Sequence, residues 1–108
     1  IVWPTTGVSE GSGIPSRFAL DMARPTPFRM VTSLRYAVPR MAPVRLAVYS
    51  PTGELVRLLD DGVRAPGVYR TAWDGRDDGG RDLPSGVYFA RLALPDGTSR
   101  VKKVAMVK

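Results

Sequence analysis

Four aspartates lie close together between Trp73 and Tyr88 and are the residues of this chain best suited to chemistry. They are Asp74, Asp77, Asp78 and Asp82. Carboxylate oxygens on a tight loop are the hard ligands that Ca²⁺ prefers, although the full EF-hand run and its terminal bidentate Glu are missing. The alternative is turn chemistry, in which the aspartates bond to nearby backbone and pair with Arg76 and Arg81. We expect turn chemistry rather than a bound metal, and no cofactor.

The composition argues against catalysis. The chain has no His and no Cys, which removes the commonest general base and the thiolate nucleophile. No triad and no phosphate-binding pattern is present, so we predict a protein that is not an enzyme. The net charge of +6 comes from basic residues spread along the chain without a nucleic-acid recognition motif. We therefore expect no nucleic-acid partner, and no apolar run is long enough to span a membrane.

Two apolar runs must position the aspartate loop. Trp73 ends the first run, and Val87 begins the second. Asp82, Gly86 and Tyr88 form an Asp-x-x-x-Gly-x-Tyr pattern, which is typical of a tyrosine corner. In a tyrosine corner the hydroxyl bonds to loop backbone and fixes a crossover of a β-sandwich. We therefore assign Trp73 to the core and Tyr88 to the corner.

Alternation of apolar and polar residues predicts strands along the whole chain and requires no helix. The predicted strands are 16–22, 31–38, 44–49, 54–59, 68–73, 87–94 and 99–107. Seven short strands separated by turn signals indicate an all-β, seven-stranded immunoglobulin-like antiparallel β-sandwich. We assign the sandwich to residues 16–108 and an extended N-terminal tail to residues 1–15.

Three details of this prediction concern which residues face the core. The first strand places Phe18, Leu20 and Met22 on one face. The third strand turns Val44, Leu46 and Val48 inward and Arg45 outward. Asp60-Asp61-Gly62 is typical of the start of a connection, so the fourth strand is predicted to end before it.

Four segments together carry a family resemblance. They are Arg24-Pro25-Thr26-Pro27-Phe28, the run from Val44 to Val56, the pair Trp73-Asp74-Gly75-Arg76-Asp77 and Ser85-Gly86-Val87-Tyr88, and the closing run from Lys102 to Lys108. From Phe18 to Lys108 the chain resembles the immunoglobulin-like domain of the flagellar hook-capping protein. It equally resembles the C-terminal sorting domain of the type IX secretion system. Both resemblances imply a non-catalytic module, at the end of a larger secreted protein or within a scaffold that caps a filament.

Two segments are candidates for carrying the function. Ile1, Val2 and Trp3 form a hydrophobic front end, and we predict that they add as a strand to the open edge of another subunit. The resemblance implies that the terminal segment is an export signal, which here contains Lys102, Lys103, Val104 and Lys108. Lysines on an edge strand also discourage uncontrolled pairing.

We expect a secreted or cell-surface bacterial protein with a structural role. The first hypothesis is a complete chain that self-assembles into a surface or filamentous structure, as a homo-oligomer or polymer joined by strand addition. The alternative is a C-terminal sorting or surface-anchoring domain of a larger secreted protein, with the secretion machinery as its partner. A third hypothesis is an accessory module that binds carbohydrate or calcium.

Overall fold

The computed structural model describes residues 15–108, so the predicted assembly residues Ile1, Val2 and Trp3 lie outside the described part. Seven strands form within it: β1 Ala19–Leu20, β2 Thr32–Val38, β3 Ala42–Tyr49, β4 Leu55–Arg64, β5 Gly67–Trp73, β6 Gly86–Ala93 and β7 Ser99–Met106. Residues 15–108 contain no helix long and apolar enough to cross a membrane. The division of the chain at residue 15 stays a prediction.

The seven strands form two antiparallel sheets. One has the order β1-β2-β5 and the other the order β4-β3-β6-β7. Every strand pair in both sheets is antiparallel. This arrangement confirms the predicted all-β, seven-stranded immunoglobulin-like sandwich.

The core lies between the sheets and follows the alternation of the sequence. Val44, Leu46 and Val48 of β3 are buried and Arg45 is exposed, as predicted. Trp73 lies at the centre of the aromatic part, with ring centroids 5.4 Å from Phe28 and 5.5 Å from Tyr88. Burial of each large apolar side chain contributes about 1.5–3 kcal/mol, so this shared interior is the main force that holds the sheets together.

The first predicted strand is mostly wrong, because only Ala19 and Leu20 form regular strand. Phe18 and Leu20 are buried as expected, but Met22 is 53% exposed and Ala23 is buried in its place. Asp21 explains the change, since its carboxylate accepts the N–H of Met22 at 2.8 Å. This local bond turns the chain, so the alternation shifts by one residue.

The fourth predicted strand is too short. Asp60, Asp61 and Gly62 do not begin a connection but continue β4 as far as Arg64. The register of β4 against β3 shifts twice, so Leu59 and Val56 have no direct partner on β3. Such bulges let an edge strand continue through residues that would otherwise favour a turn.

Candidate interaction surface

Arg57 organises the aspartate loop from the neighbouring strand β4. Its Nη1 lies 3.1 Å from Asp74 Oδ1 and also donates to the carbonyl of Arg76 at 3.1 Å. Its Nε lies 3.8 Å from Asp78 Oδ1. A guanidinium therefore takes the position between two carboxylates that a calcium ion would need.

The other two aspartates also have local partners. Asp77 Oδ1 accepts the backbone N–H groups of Gly79 and Arg81, both at 2.9 Å, and these bonds lower the pKa of the Asp77 carboxyl. Asp82 Oδ1 lies 3.2 Å from Arg76 Nε and 3.5 Å from Lys108 Nζ. Within residues 15–108, no three acidic side chains converge in a way that could hold a metal ion. The aspartates of this loop therefore make the backbone hydrogen bonds and arginine ion pairs that turn chemistry requires.

Trp73 and Tyr88 hold the two ends of this loop. The Tyr88 hydroxyl donates to the carbonyl of Pro84 at 2.7 Å, and its burial raises the pKa of the phenol. Trp73 is fully buried, and its Nε1 donates to the carbonyl of Arg76 at 3.0 Å. A tyrosine that bonds back to loop backbone at the start of β6 has the geometry of a tyrosine corner. These aromatic residues shape the loop and leave no flat aromatic surface for a ligand.

The lysines of the closing segment lie at the edge of the four-stranded sheet. Lys102 and Lys103 are exposed on β7, whereas Val104 is fully buried. Lys108 is tied to the loop before β6, because its backbone N–H donates to Ser85 Oγ at 2.9 Å. The structure therefore places Lys102 and Lys103 on an open surface and separates them from Lys108 by the buried end of β7.

Sequence reasoning missed a polar link between the two sheets. The Tyr36 hydroxyl on β2 donates to the Asp60 carboxylate on β4, which also pairs with Arg64. Burial and the Asp60 charge raise the pKa of Tyr36 above its ordinary value. Burial alone would raise the pKa of Asp60, but the hydrogen bonds from Tyr36 and Arg64 outweigh burial and lower it. The spacing of Asp60 and Arg64 was a local signal, but Tyr36 is distant in sequence.

Comparison with known proteins identifies both a family and similar folds. A family model described as the FlgD Ig-like domain matches residues 29–98, more than half of the chain. Dimeric latent PorU from Porphyromonas gingivalis is similar, with a TM-score of 0.62 and 22% identity over 86% of this chain and 10% of PorU. FlgD from P. aeruginosa has a TM-score of 0.55 and 20% identity over 88% of this chain and 77% of FlgD.

PorZ from P. gingivalis, an essential bacterial surface component of the type-IX secretion system, is also similar. It has a TM-score of 0.52 and 22% identity over 91% of this chain and 13% of PorZ. At these identities the solved structures show a shared fold alone, and this chain spans only about a tenth of PorU. No curated protein matches the chain. The family match and the similarity to PorZ confirm the two resemblances predicted from the sequence.

Proposed function

Because this chain belongs to the FlgD Ig-like domain family, we propose that it is a non-enzymatic sorting or anchoring module of a secreted or cell-surface bacterial protein. The family is a structural domain type, which supports a role in protein interaction rather than catalysis. Similarity to a surface component of the type-IX secretion system supports recognition by export machinery. The chain covers small parts of PorU and PorZ, which fits a module of a longer protein.

The placement of β7 is the observation that carries this proposal. Lys102 and Lys103 lie side by side in sequence on an edge strand, and both side chains are exposed. Val104 and Met106 anchor the same strand in the core. A receptor would therefore meet a basic segment that is held rigidly at the surface of a folded domain, which lowers the entropy cost of recognition.

Export of a reporter tests the proposal. The full chain is fused behind a reporter in a bacterium that has a type IX system, and the fraction of reporter at the cell surface is measured. Lys102→Glu combined with Lys103→Glu should lower this fraction about tenfold or more, which corresponds to a loss of ~1.4 kcal/mol in recognition.

The matched control is Arg45→Glu combined with Arg70→Glu. These arginines are exposed on β3 and β5, neither of which pairs with β7, so the control changes the net charge equally away from that strand. It should export like the unmodified fusion. Equal export of both double variants, or no export of the unmodified fusion, would refute the sorting role.

Assembly of copies by strand addition is the second candidate, favoured by the open edge of β7. In this proposal Ile1, Val2 and Trp3 are the donor strand of a homo-oligomer or polymer. Light scattering and negative-stain microscopy are carried out on the chain with and without residues 1–15. Polymers that disappear on truncation would establish assembly, whereas a monomer in both samples would exclude it.

A further inference from the structure

Strand β7 is paired along its whole length on one side but only at its end on the other. β6 pairs with it from Ser99 to Met106. On the outer side Phe28 N donates to the carbonyl of Ala105 at 2.9 Å, and Val107 N donates to the carbonyl of Phe28 at 2.9 Å. Thr26 Oγ1 accepts the N–H of Ala105 at 3.1 Å. The segment around Phe28 therefore covers the last third of this edge.

The first part of β7 presents backbone groups to the open side. The N–H and C=O groups of a strand residue point to the same side, and successive residues alternate. Because Ala105 points outward and β7 pairs with β6 without a register shift, Val101 and Lys103 also point outward. Within residues 15–108, no backbone group pairs with Val101 or Lys103 on this side.

The opposite edge of the same sheet, at β4, is partly covered by Asp78, unlike the edge at β7. Asp78 N donates to the carbonyl of Val56 at 3.0 Å, and its carboxylate accepts the N–H of Leu58 at 3.1 Å. The two bulges of β4 further break the regular spacing that a new strand would need. The four-stranded sheet therefore offers its regular, open edge at β7.

The side chains along this edge are strongly basic. Arg100 and Lys102 lie on the same face of β7 as the buried Val104, so they point towards the side where the other sheet lies. There they line a cleft of ≈ 270 Å³ between β7 and β1, together with Arg17. The cleft has no acidic side chain among its lining residues. A strand added at this edge would direct alternate side chains into a site with three cations.

The geometry points to this edge as a docking site for an extended acidic segment of another protein, which adds to the sheet beside Val101 and Lys103. Main-chain bonds would give affinity, and acidic side chains would enter the cleft. Pairing of β7 with the β7 strand of a second copy is disfavoured, because Arg100, Lys102 and Lys103 would face the same cations. The inference rests on the proposed function in one respect: the acidic segment is taken to belong to the export or anchoring machinery.

Binding of a defined peptide tests the docking site. A fluorescent peptide of alternating Glu and Val is titrated with the full chain and followed by anisotropy. Binding should be saturable and should weaken as salt rises, because exposed charge pairs are screened. A peptide with the same sequence but N-methylated at alternate residues should bind about tenfold or more weakly, since it cannot form the ladder.

Val101→Pro is the most direct variant. It removes an N–H that points away from β6, so the sheet itself keeps its bonds. Affinity should fall about tenfold or more, while circular dichroism and the melting temperature stay close to those of the unmodified chain. Lys102→Glu should weaken binding to a similar degree, because it places a negative charge where acidic side chains of the peptide would enter. It serves as the second variant if the proline perturbs folding. Arg45→Glu is the control and should leave the affinity within about twofold.

Three results would overturn the inference. They are no saturable binding to the full chain, equal binding of the N-methylated peptide, and unchanged affinity in both β7 variants. Self-association measured by sedimentation, lost in Val101→Pro, would instead assign the edge to a second copy. If the peptide binds but the reporter is not exported, the sorting role alone is refuted. If Val101→Pro leaves export unchanged, sorting does not use the β7 edge.

Discussion

The Asp60 carboxylate links the two sheets at the scale of a single residue. It accepts from Tyr36 of one sheet and pairs with Arg64 of the other. Because the pKa of Asp60 is lowered in the folded protein, the ionised carboxylate stabilises the fold. This stabilisation is fully present at pH values above the ordinary aspartate pKa of about 3.9. This contribution is lost as the pH falls through the lower, folded-state value.

We predict that Asp60→Asn is less stable than the unmodified chain at neutral pH by about 1–3 kcal/mol. Its free energy of unfolding should fall less steeply below about pH 4 than that of the unmodified chain. Urea unfolding followed by circular dichroism at several pH values measures both effects. Asp77 and Asp96 also have lowered pKa values and remain in both proteins, so the difference between the curves isolates Asp60. Parallel curves would contradict the prediction.

Two tyrosines provide a matched test of the corner. The Tyr88 hydroxyl donates to the carbonyl four residues earlier, at Pro84, and Tyr69 does the same to Ala65 at 2.6 Å. Tyr88 is buried, whereas the Tyr69 bond is open to solvent. Tyr88→Phe should therefore destabilise the fold by about 1–2 kcal/mol. Tyr69→Phe should cost less, because water replaces its bond, and equal losses would argue against a special role for the corner.

At the scale of elements, the loop between β5 and β6 depends on glycine in two different ways. Gly75 and Gly80 both have positive φ values, of 77° and 83°. A Cβ on Gly75 would lie 2.5 Å from Met106 Sδ, whereas a Cβ on Gly80 would meet open space. The first glycine therefore provides both conformational freedom and close packing, and the second provides conformational freedom alone.

We predict that Gly75→Ala lowers the free energy of unfolding by about 1–3 kcal/mol more than Gly80→Ala. Both variants bear the cost of alanine at positive φ, so their difference reports the contact with Met106. Chemical denaturation of the two proteins measures it. If the two losses are equal, Met106 moves aside without cost and the loop does not pack tightly on β7.

The strands differ in how well the sequence predicts them, and the reason is physical. Alternation alone identifies the inward face of β3, because Val44, Leu46 and Val48 repeat with the period of a strand. The same reasoning ends β4 too early, because Asp60 and Gly62 favour turns unless distant groups provide hydrogen-bond partners. Tyr36 provides one from another sheet, and its approach cannot be read from local spacing.

At the scale of the whole molecule, the edges of the sheets were the hardest features to predict. The two-sheet fold follows from strand number and alternation, and the aspartate loop follows from its flanking strands. The open part of β7 ends where Thr26 and Phe28 cover the strand, and 79 residues separate Thr26 from its partner Ala105. The roles of Lys102 and Lys103 in export and in edge protection stay predictions. The structure shows that both side chains are exposed on this edge strand.

The unequal lengths of β1 and β7 have a mechanical consequence. β1 is held to β2 by two register pairs, whereas β7 is held to β6 by eight. Tension applied before Ala19 therefore has to break far fewer bonds than tension applied after Met106. In an optical trap we expect a first, low-force extension as β1 peels away, followed by rupture of the remaining sandwich at higher force.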